Sequence, residues 1–193
     1  MKLVFATHNA NKLSEVRALL QPQFEVIGLT DLNDHEEIPE NEPTLEGNAL
    51  VKARTVFERH GLPCFSDDTG LEIEALNGEP GVYSARYAGV DKDAERNMAK
   101  VLEKLGNNPN RKAQFRTAIA LVNGTEEHVF NGVVAGQITH EKCGNEGFGY
   151  DPIFIPQGNS KSFAQMSGAE KNKISHRGRA INALVAHLQE HGI

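Results

Sequence analysis

The sequence has 193 residues, room for a single domain with one good core. Its net charge of −6 argues against a general nucleic-acid binder, and no apolar run is long enough to span a bilayer. The first residues show no small-residue cleavage site, and Cys64 and Cys143 match no zinc or redox spacing, so a cytoplasmic protein with free thiols is expected.

Residues 2–7 read as a first strand, and Leu13, Val16 and Leu20 then recur at helical spacing until Pro22 stops the helix. Residues 24–29 read as a second strand. From Asp31 to Glu46 the chain holds seven acids and no Lys or Arg. A helix over 44–59 places Leu45, Ala49, Ala53, Val56 and Phe57 on one face, with Gly61 as its C-cap. Residues 63–66 form a short strand that delivers Asp67-Asp68-Thr69-Gly70. A second, half-exposed strand alternates Leu71, Ile73 and Ala75 with Glu72 and Glu74, and Asn77-Gly78 closes it. Ala94, Met98, Val101, Leu102 and Leu105 mark another helix, ended by Gly106. Residues 114–122 and 128–135 flank Asn123-Gly124 as a hairpin. A glycine-rich turn, 144–151, precedes a strand over 153–155. Ser167 and Glu170 match a capping box, and the last helix carries Ala180, Ile181, Leu184, Val185 and Leu188. No repeat or linker interrupts the chain. The expectation is one domain, 1–193, of mixed α/β class around one long, partly antiparallel sheet.

Four segments carry candidate chemistry. Thr7-His8-Asn9-Ala10-Asn11-Lys12 stands where a strand hands over to a helix. Helix N–H groups there suit a phosphate, Thr7 and Asn9 add donors, and Lys12 adds a charge. The glycines of a Walker loop are missing, and an Asn-rich turn accounts for the run equally well. In Asp67-Asp68-Thr69-Gly70, adjacent side chains point to opposite sides of an extended chain. One carboxylate can then hold Mg²⁺ or activate water while the other supports the loop; the same four residues also make an ordinary turn. A single Asp-Thr-Gly would need two chains to build an aspartic protease, and no apolar run precedes it. Gly147-Phe148-Gly149-Tyr150-Asp151-Pro152 offers aromatic faces and backbone edges to a planar base, or is a tight turn over core aromatics. Ser175-His176-Arg177-Gly178-Arg179, with Lys171 upstream, offers phosphate or base contacts at a helix start, or a solvated helix end. From Lys161 to Arg179 five bases face a single acid, Glu170. Together with the acidic loop they suggest a divided site, carboxylates for a cation and bases for an anion. His187 and His191 lie four apart on the last helix with no third ligand evident, so they read as an exposed helix end.

Taken together, these segments resemble the non-canonical purine triphosphate pyrophosphatases, the inosine triphosphatase or dITP/XTP pyrophosphatase family. The matching stretches are Ala6 to Lys12, Leu45 to Ala53, Ser66 to Leu71, Pro80 to Gly89, Gly147 to Pro152 and Lys171 to Arg177, in family order over nearly the whole chain. The Pro80 to Gly89 stretch, Pro-Gly-Val-Tyr-Ser-Ala-Arg-Tyr-Ala-Gly, is marked by the resemblance alone.

The resemblance implies an elongated, two-lobed α/β fold around a long mixed sheet with flanking helices, its active-site cleft between the lobes. It also implies a homodimer that splits the α–β phosphoanhydride of a purine nucleoside triphosphate with Mg²⁺, releasing pyrophosphate. By motif, Thr7, His8, Asn9, Ala10, Asn11 and Lys12 would bind the triphosphate. Asp68 would be general base and metal ligand, with Glu40 of Ile38-Pro39-Glu40 as second ligand. Thr69 would touch substrate and Asp67 would support it. Phe148, Gly149, Tyr150, Asp151, Lys171, His176 and Arg177 would hold the base and adjacent groups, and Lys52 would reach phosphate. The chain departs from the pattern where Thr69 replaces a frequent Ser and Gly47 a frequent acid. Glu36, Glu37 and Glu42 crowd the same loop as Glu40. Hypoxanthine and xanthine carry a 6-oxo group where adenine has an amino group. A donor aimed there rejects adenine by leaving a polar group unpaired, at a cost of roughly 1–3 kcal/mol. A pyrophosphatase for modified pyrimidine triphosphates and a non-hydrolysing nucleotide sensor are the two rival readings.

Overall fold

The computed structural model describes residues 2–124 and 126–192. Its elements are β1 (Lys2–Phe5), α1 (Ala10–Leu20), β2 (Glu25–Gly28), α2 (Leu45–His60), β3 (Cys64–Ile73), β4 (Pro80–Gly81), α3 (Ala94–Leu105), β5 (Lys112–Asn123), β6 (Glu126–Ile138), β7 (Phe154–Pro156), α4 (Gly168–Ile174) and α5 (His176–His191). The strand order is β2-β1-β3-β5-β6-β7, with the two-residue β4 on β3. β1 runs parallel to β2 and β3, whereas β4 and β7 are antiparallel to β3 and β6. The sheet is therefore mixed, as the sequence predicts. Among the described residues no helix is long and apolar enough to cross a membrane. The length predicts one domain; internal contacts resolve two compact units, whose boundaries fall inside β3, β5, β6 and α5.

The first unit comprises Met1–Asp68, Thr117–Gly132 and Arg177–Ile193. Both faces of β1 are covered, which explains its unbroken apolar sequence. Leu3 and Phe5 join Val16, Leu20, Phe65, Ile119, Ile181 and Leu184 in one core. Val4 and Ala6 join Leu29, Val56 and Cys64 in another. Phe5 stacks on Phe65 with ring centroids 4.7 Å apart. The first core is built by the apolar stripes of α1 and α5, the second by that of α2.

The second unit comprises Thr69–Arg116 and Val133–His176. Its core gathers Leu71, Ile73, Met98, Val101, Phe115, Phe154 and Phe163. Phe115 meets Phe154 edge-on at 4.6 Å. Met98, Val101 and Leu105 of α3 are buried, as their helical spacing predicts.

Two differences from the sequence reading bear on function. The two strands expected on either side of Asp67-Asp68-Thr69-Gly70 are one continuous strand, β3. Four residues that read as a turn stay extended because charged partners, described below, satisfy the two carboxylates inside the sheet. Glu74–Leu76, expected to extend the second strand, instead forms a single 3-10 turn. The hairpin strands are also longer than predicted, reaching 112 and 138.

Candidate active site

In the first unit the chain leaves β1 and enters α1 through Thr7, His8 and Asn9. Asn9 caps the helix: its Oδ1 accepts from the Asn11 and Lys12 amides at 3.0 and 3.1 Å. Thr7 Oγ1 accepts from the Asn9 amide at 3.1 Å. The cap thus occupies two of the N–H groups that the sequence assigned to phosphate. Thr7 and Asn9 keep a hydroxyl and an amide N–H₂ as donors, beside exposed Ala10 and Asn11. His8 Nε2 lies 2.9 Å from the Glu36 carbonyl, which ties this turn to the acidic loop.

Asp67 gathers the cations. Lys12 Nζ donates to its Oδ1 at 2.9 Å, and Arg177 donates Nε and Nη2 to its Oδ2 at 3.1 and 3.0 Å. A further guanidinium nitrogen of Arg177 pairs with Glu15. The Asp67 and Arg177 side chains are only 1% and 2% exposed, so this is a buried ion cluster and not a surface pair. Burial alone would push the Asp67 carboxyl up; Lys12, Arg177 and Lys52 outweigh it and hold the group well below the usual carboxylate range. Burial, opposed by Asp67, lowers the Lys12 pKa.

Asp68 faces the other way along β3, toward α2. Asn48 Nδ2 donates to its Oδ2 at 3.1 Å, and Lys52 Nζ lies 3.4 Å from its Oδ1. The same ammonium donates to Glu40 Oε1 at 3.0 Å and to the Asp67 carbonyl at 2.7 Å. Burial lowers the Lys52 pKa, but Asp68, Glu40 and Asp67 raise it further, and the net shift is upward. The acidic loop spreads its other acids elsewhere. Asp31 pairs with Arg17, Asp34 with Arg59 and His60, and Glu36 with Arg59. Of these acids Glu40 is the one that shares Lys52 with Asp68.

Among the described residues no group of three or more His, Cys, Asp or Glu could hold a metal. Mg²⁺ needs less from a protein: one or two carboxylates, with substrate phosphates and water completing the shell. Glu40 and Asp68, two hard oxygen donors already converging on one ammonium, fit that requirement.

In the second unit, Gly147 and Gly149 have φ of 73° and 64°, and a Cβ on Gly147 would come within 2.1 Å of Asp151 Oδ2. Asp151 Oδ2 accepts from the Phe148 amide at 2.8 Å and from Lys171 Nζ at 2.7 Å. Lys171 Nζ also sits 4.8 Å from the centre of the half-buried Phe148 ring. His176 is buried and stacks on Phe115 at 4.5 Å. Thr69 is half-buried. A hollow of about 710 Å³ in this unit, lined by Glu72, Gln114, Gln137 and Gln157 among others, contains none of the predicted site residues.

The structure thus brings Lys12, Asp67 and Arg177 together, and joins Glu40, Lys52 and Asp68 to them. It separately joins Phe148, Asp151 and Lys171. The sequence reading gave Arg177 to the base and adjacent groups; its guanidinium reaches Asp67 and Glu15. It put Lys52 on phosphate, where the structure gives it to carboxylates. It gave Asn48 no role. A signal was available: Asn48 and Lys52 interrupt the stripe Leu45, Ala49, Ala53, Val56, and a polar residue at a buried helical position needs a partner.

A model of the Ham1 family matches residues 3–187. The chain belongs to the Ham1 family. A Flavobacterium johnsoniae protein named dITP/XTP pyrophosphatase is 50% identical over 185 residues, covering 96% of each chain. The Staphylococcus aureus Ham1 protein superposes with TM-score 0.88 at 42% identity, covering 98% of this chain and 99% of its own. A Coxiella burnetii HAM1 protein superposes with TM-score 0.89 at 39% identity, with the same coverage. The matched stretch in this Ham1 chain runs from β1 into α5, so it includes every candidate site residue.

Proposed function

We propose that the protein is a Mg²⁺-dependent pyrophosphatase for non-canonical purine nucleoside triphosphates: dITP, ITP and XTP. The relatives named dITP/XTP pyrophosphatase supply the substrate class. The observation that carries the mechanism is the opposed pair on β3, with Asp67 among cations and Asp68 beside Glu40.

In this reading Thr7, His8, Asn9, Ala10, Asn11 and Lys12 receive the triphosphate. Asp67 keeps Lys12 and Arg177 charged and in place, so a tetra-anionic chain meets fixed cations with little reorganisation. Asp68, the general base, accepts a proton from water. The water oxygen attacks the α-phosphorus, the α–β bond breaks, and pyrophosphate leaves with the nucleoside monophosphate as the other product. Glu40 and Asp68 would hold a divalent ion, which would supply charge neutralisation for the phosphates. Thr69 donates its hydroxyl to substrate. Phe148, Gly149, Asp151, Lys171 and His176 form the purine site, with Tyr150 in the same loop, and donors there reward a 6-oxo group. The active protein is a homodimer, and sedimentation equilibrium should show a species of two chains.

The test is a panel of dITP, ITP, XTP, dUTP, ATP and GTP with Mg²⁺, scoring pyrophosphate against single orthophosphate. Pyrophosphate from the first three with little from ATP is expected. A dUTP preference would overturn the base assignment.

A further inference from the structure

Tyr150 sits in the middle of the purine loop, yet its side chain is turned inward. The residue is 6% exposed, and its hydroxyl donates to the Ser84 carbonyl at 2.7 Å. Burial pushes the phenol up, so it stays a protonated donor throughout the neutral range. Ser84 lies in the Pro80 to Gly89 stretch, for which residue chemistry alone gave no role.

That stretch is stapled from several sides. Ser84 Oγ donates to the Gly81 carbonyl at 2.6 Å and accepts from the Leu71 amide of β3 at 2.9 Å. Asn97 of α3 donates to the Ala85 carbonyl at 2.9 Å and accepts from the Ala88 amide at 2.6 Å. Lys100 donates to the Tyr87 carbonyl at 2.5 Å. A Cβ on Gly70 would stand 2.7 Å from the Gly81 carbonyl, so strand and stretch are in direct backbone contact. The Ser84 carbonyl is therefore a fixed acceptor. Across the loop, Asp151 holds the Phe148 amide and Lys171. The loop is pinned at one point by Asp151 and at the next residue back by Tyr150.

We infer that Tyr150 is a positioning residue and not a substrate contact: its bond to the Ser84 carbonyl fixes the loop from Gly147 to Asp151 on the Pro80 to Gly89 stretch, and this holds Phe148 and Asp151 ready for the purine. The inference rests on the purine reading of this loop. It gives the Ser84 stretch a function, as the loop's anchor. Loss of the anchor loosens recognition of the base and leaves recognition of the phosphates alone.

The test is Tyr150→Phe, which removes one oxygen and keeps the ring in the core. The expected KM for ITP rises about tenfold with kcat within about twofold, the signature of lost binding that is equal in ground and transition states. The inhibition constant of inorganic tripolyphosphate, which has no base, stays unchanged. Amide hydrogen exchange at 147–151 becomes faster while exchange in α5 does not change. A raised KM with unchanged exchange at 147–151 would make Tyr150 a direct contact and overturn the inference. Unchanged KM and exchange together would also overturn it. If wild-type protein fails to turn over ITP, the purine reading fails on its own, and the exchange comparison still decides whether Tyr150 anchors the loop.

Discussion

Asp67 and Asp68 are adjacent acids with opposite surroundings. The Asp67 side chain is 1% exposed and paired with two cations; that of Asp68 is 14% exposed and paired loosely with Lys52. The first keeps its charge in place, and the second is open to water. Asp68→Asn should lower kcat by about 10²–10⁴, the usual contribution of a general base, with nucleotide still bound in an equilibrium titration. Unchanged turnover would remove Asp68 from the chemistry. Asp67→Asn takes from buried Lys12 the carboxylate it donates to and leaves Arg177 with Glu15, and should destabilise the fold by about 3–5 kcal/mol. The pH dependence carries a sign. The folded pKa of Asp67 lies below its unfolded value, so its stabilisation is present above the unfolded pKa of about 3.9 and disappears as pH falls through the folded one. Acid denaturation midpoints should differ between wild type and Asp67→Asn in that direction. Residue types and order made both acids visible in the sequence. Alternation along an extended chain gave them separate roles, and the family resemblance assigned which was which; the partners that enforce the division were invisible, because Lys12, Arg177 and Lys52 arrive from elsewhere along the chain.

At the scale of elements, regular patterns read well and satisfied charges did not. α2 was expected over 44–59 and spans Leu45–His60, with Thr44 as N-cap and Gly61 as C-cap, since cap chemistry and an apolar stripe are local signals. β3 was expected in two pieces because Asp67-Asp68-Thr69-Gly70 has turn chemistry; tertiary ion pairs override that preference. The tight turn over 147–151 was legible from its glycines, but its hydrogen bond to the Ser84 carbonyl was not, since a carbonyl acceptor leaves no mark in a sequence. α2 also presents Lys52 as a counter-ion shared by Glu40 and Asp68. Lys52→Met leaves two carboxylates facing each other and should lower the melting temperature. Mg²⁺ should then restore part of the loss, following RT ln(1 + [Mg]/Kd). A melting temperature equally low with and without Mg²⁺ would argue against Glu40 and Asp68 as its ligands.

At the scale of the molecule, the chain passes between its two units four times, and each passage lies inside β3, β5, β6 or α5. No single cut frees a unit, and melting one would tear strands shared with the other. Calorimetry should therefore show one cooperative transition, with van't Hoff and calorimetric enthalpies in agreement; two separated transitions would contradict this. The mixed α/β class was readable from element order, whereas an expectation of two lobes came from the family resemblance alone, because each unit is assembled from distant stretches. The account as a whole depends on water attacking the α-phosphorus. That step is tested most directly by hydrolysing ITP in heavy-oxygen water and locating the label by mass spectrometry. The account predicts the label in the nucleoside monophosphate and none in the pyrophosphate; label in pyrophosphate or in released orthophosphate would contradict it.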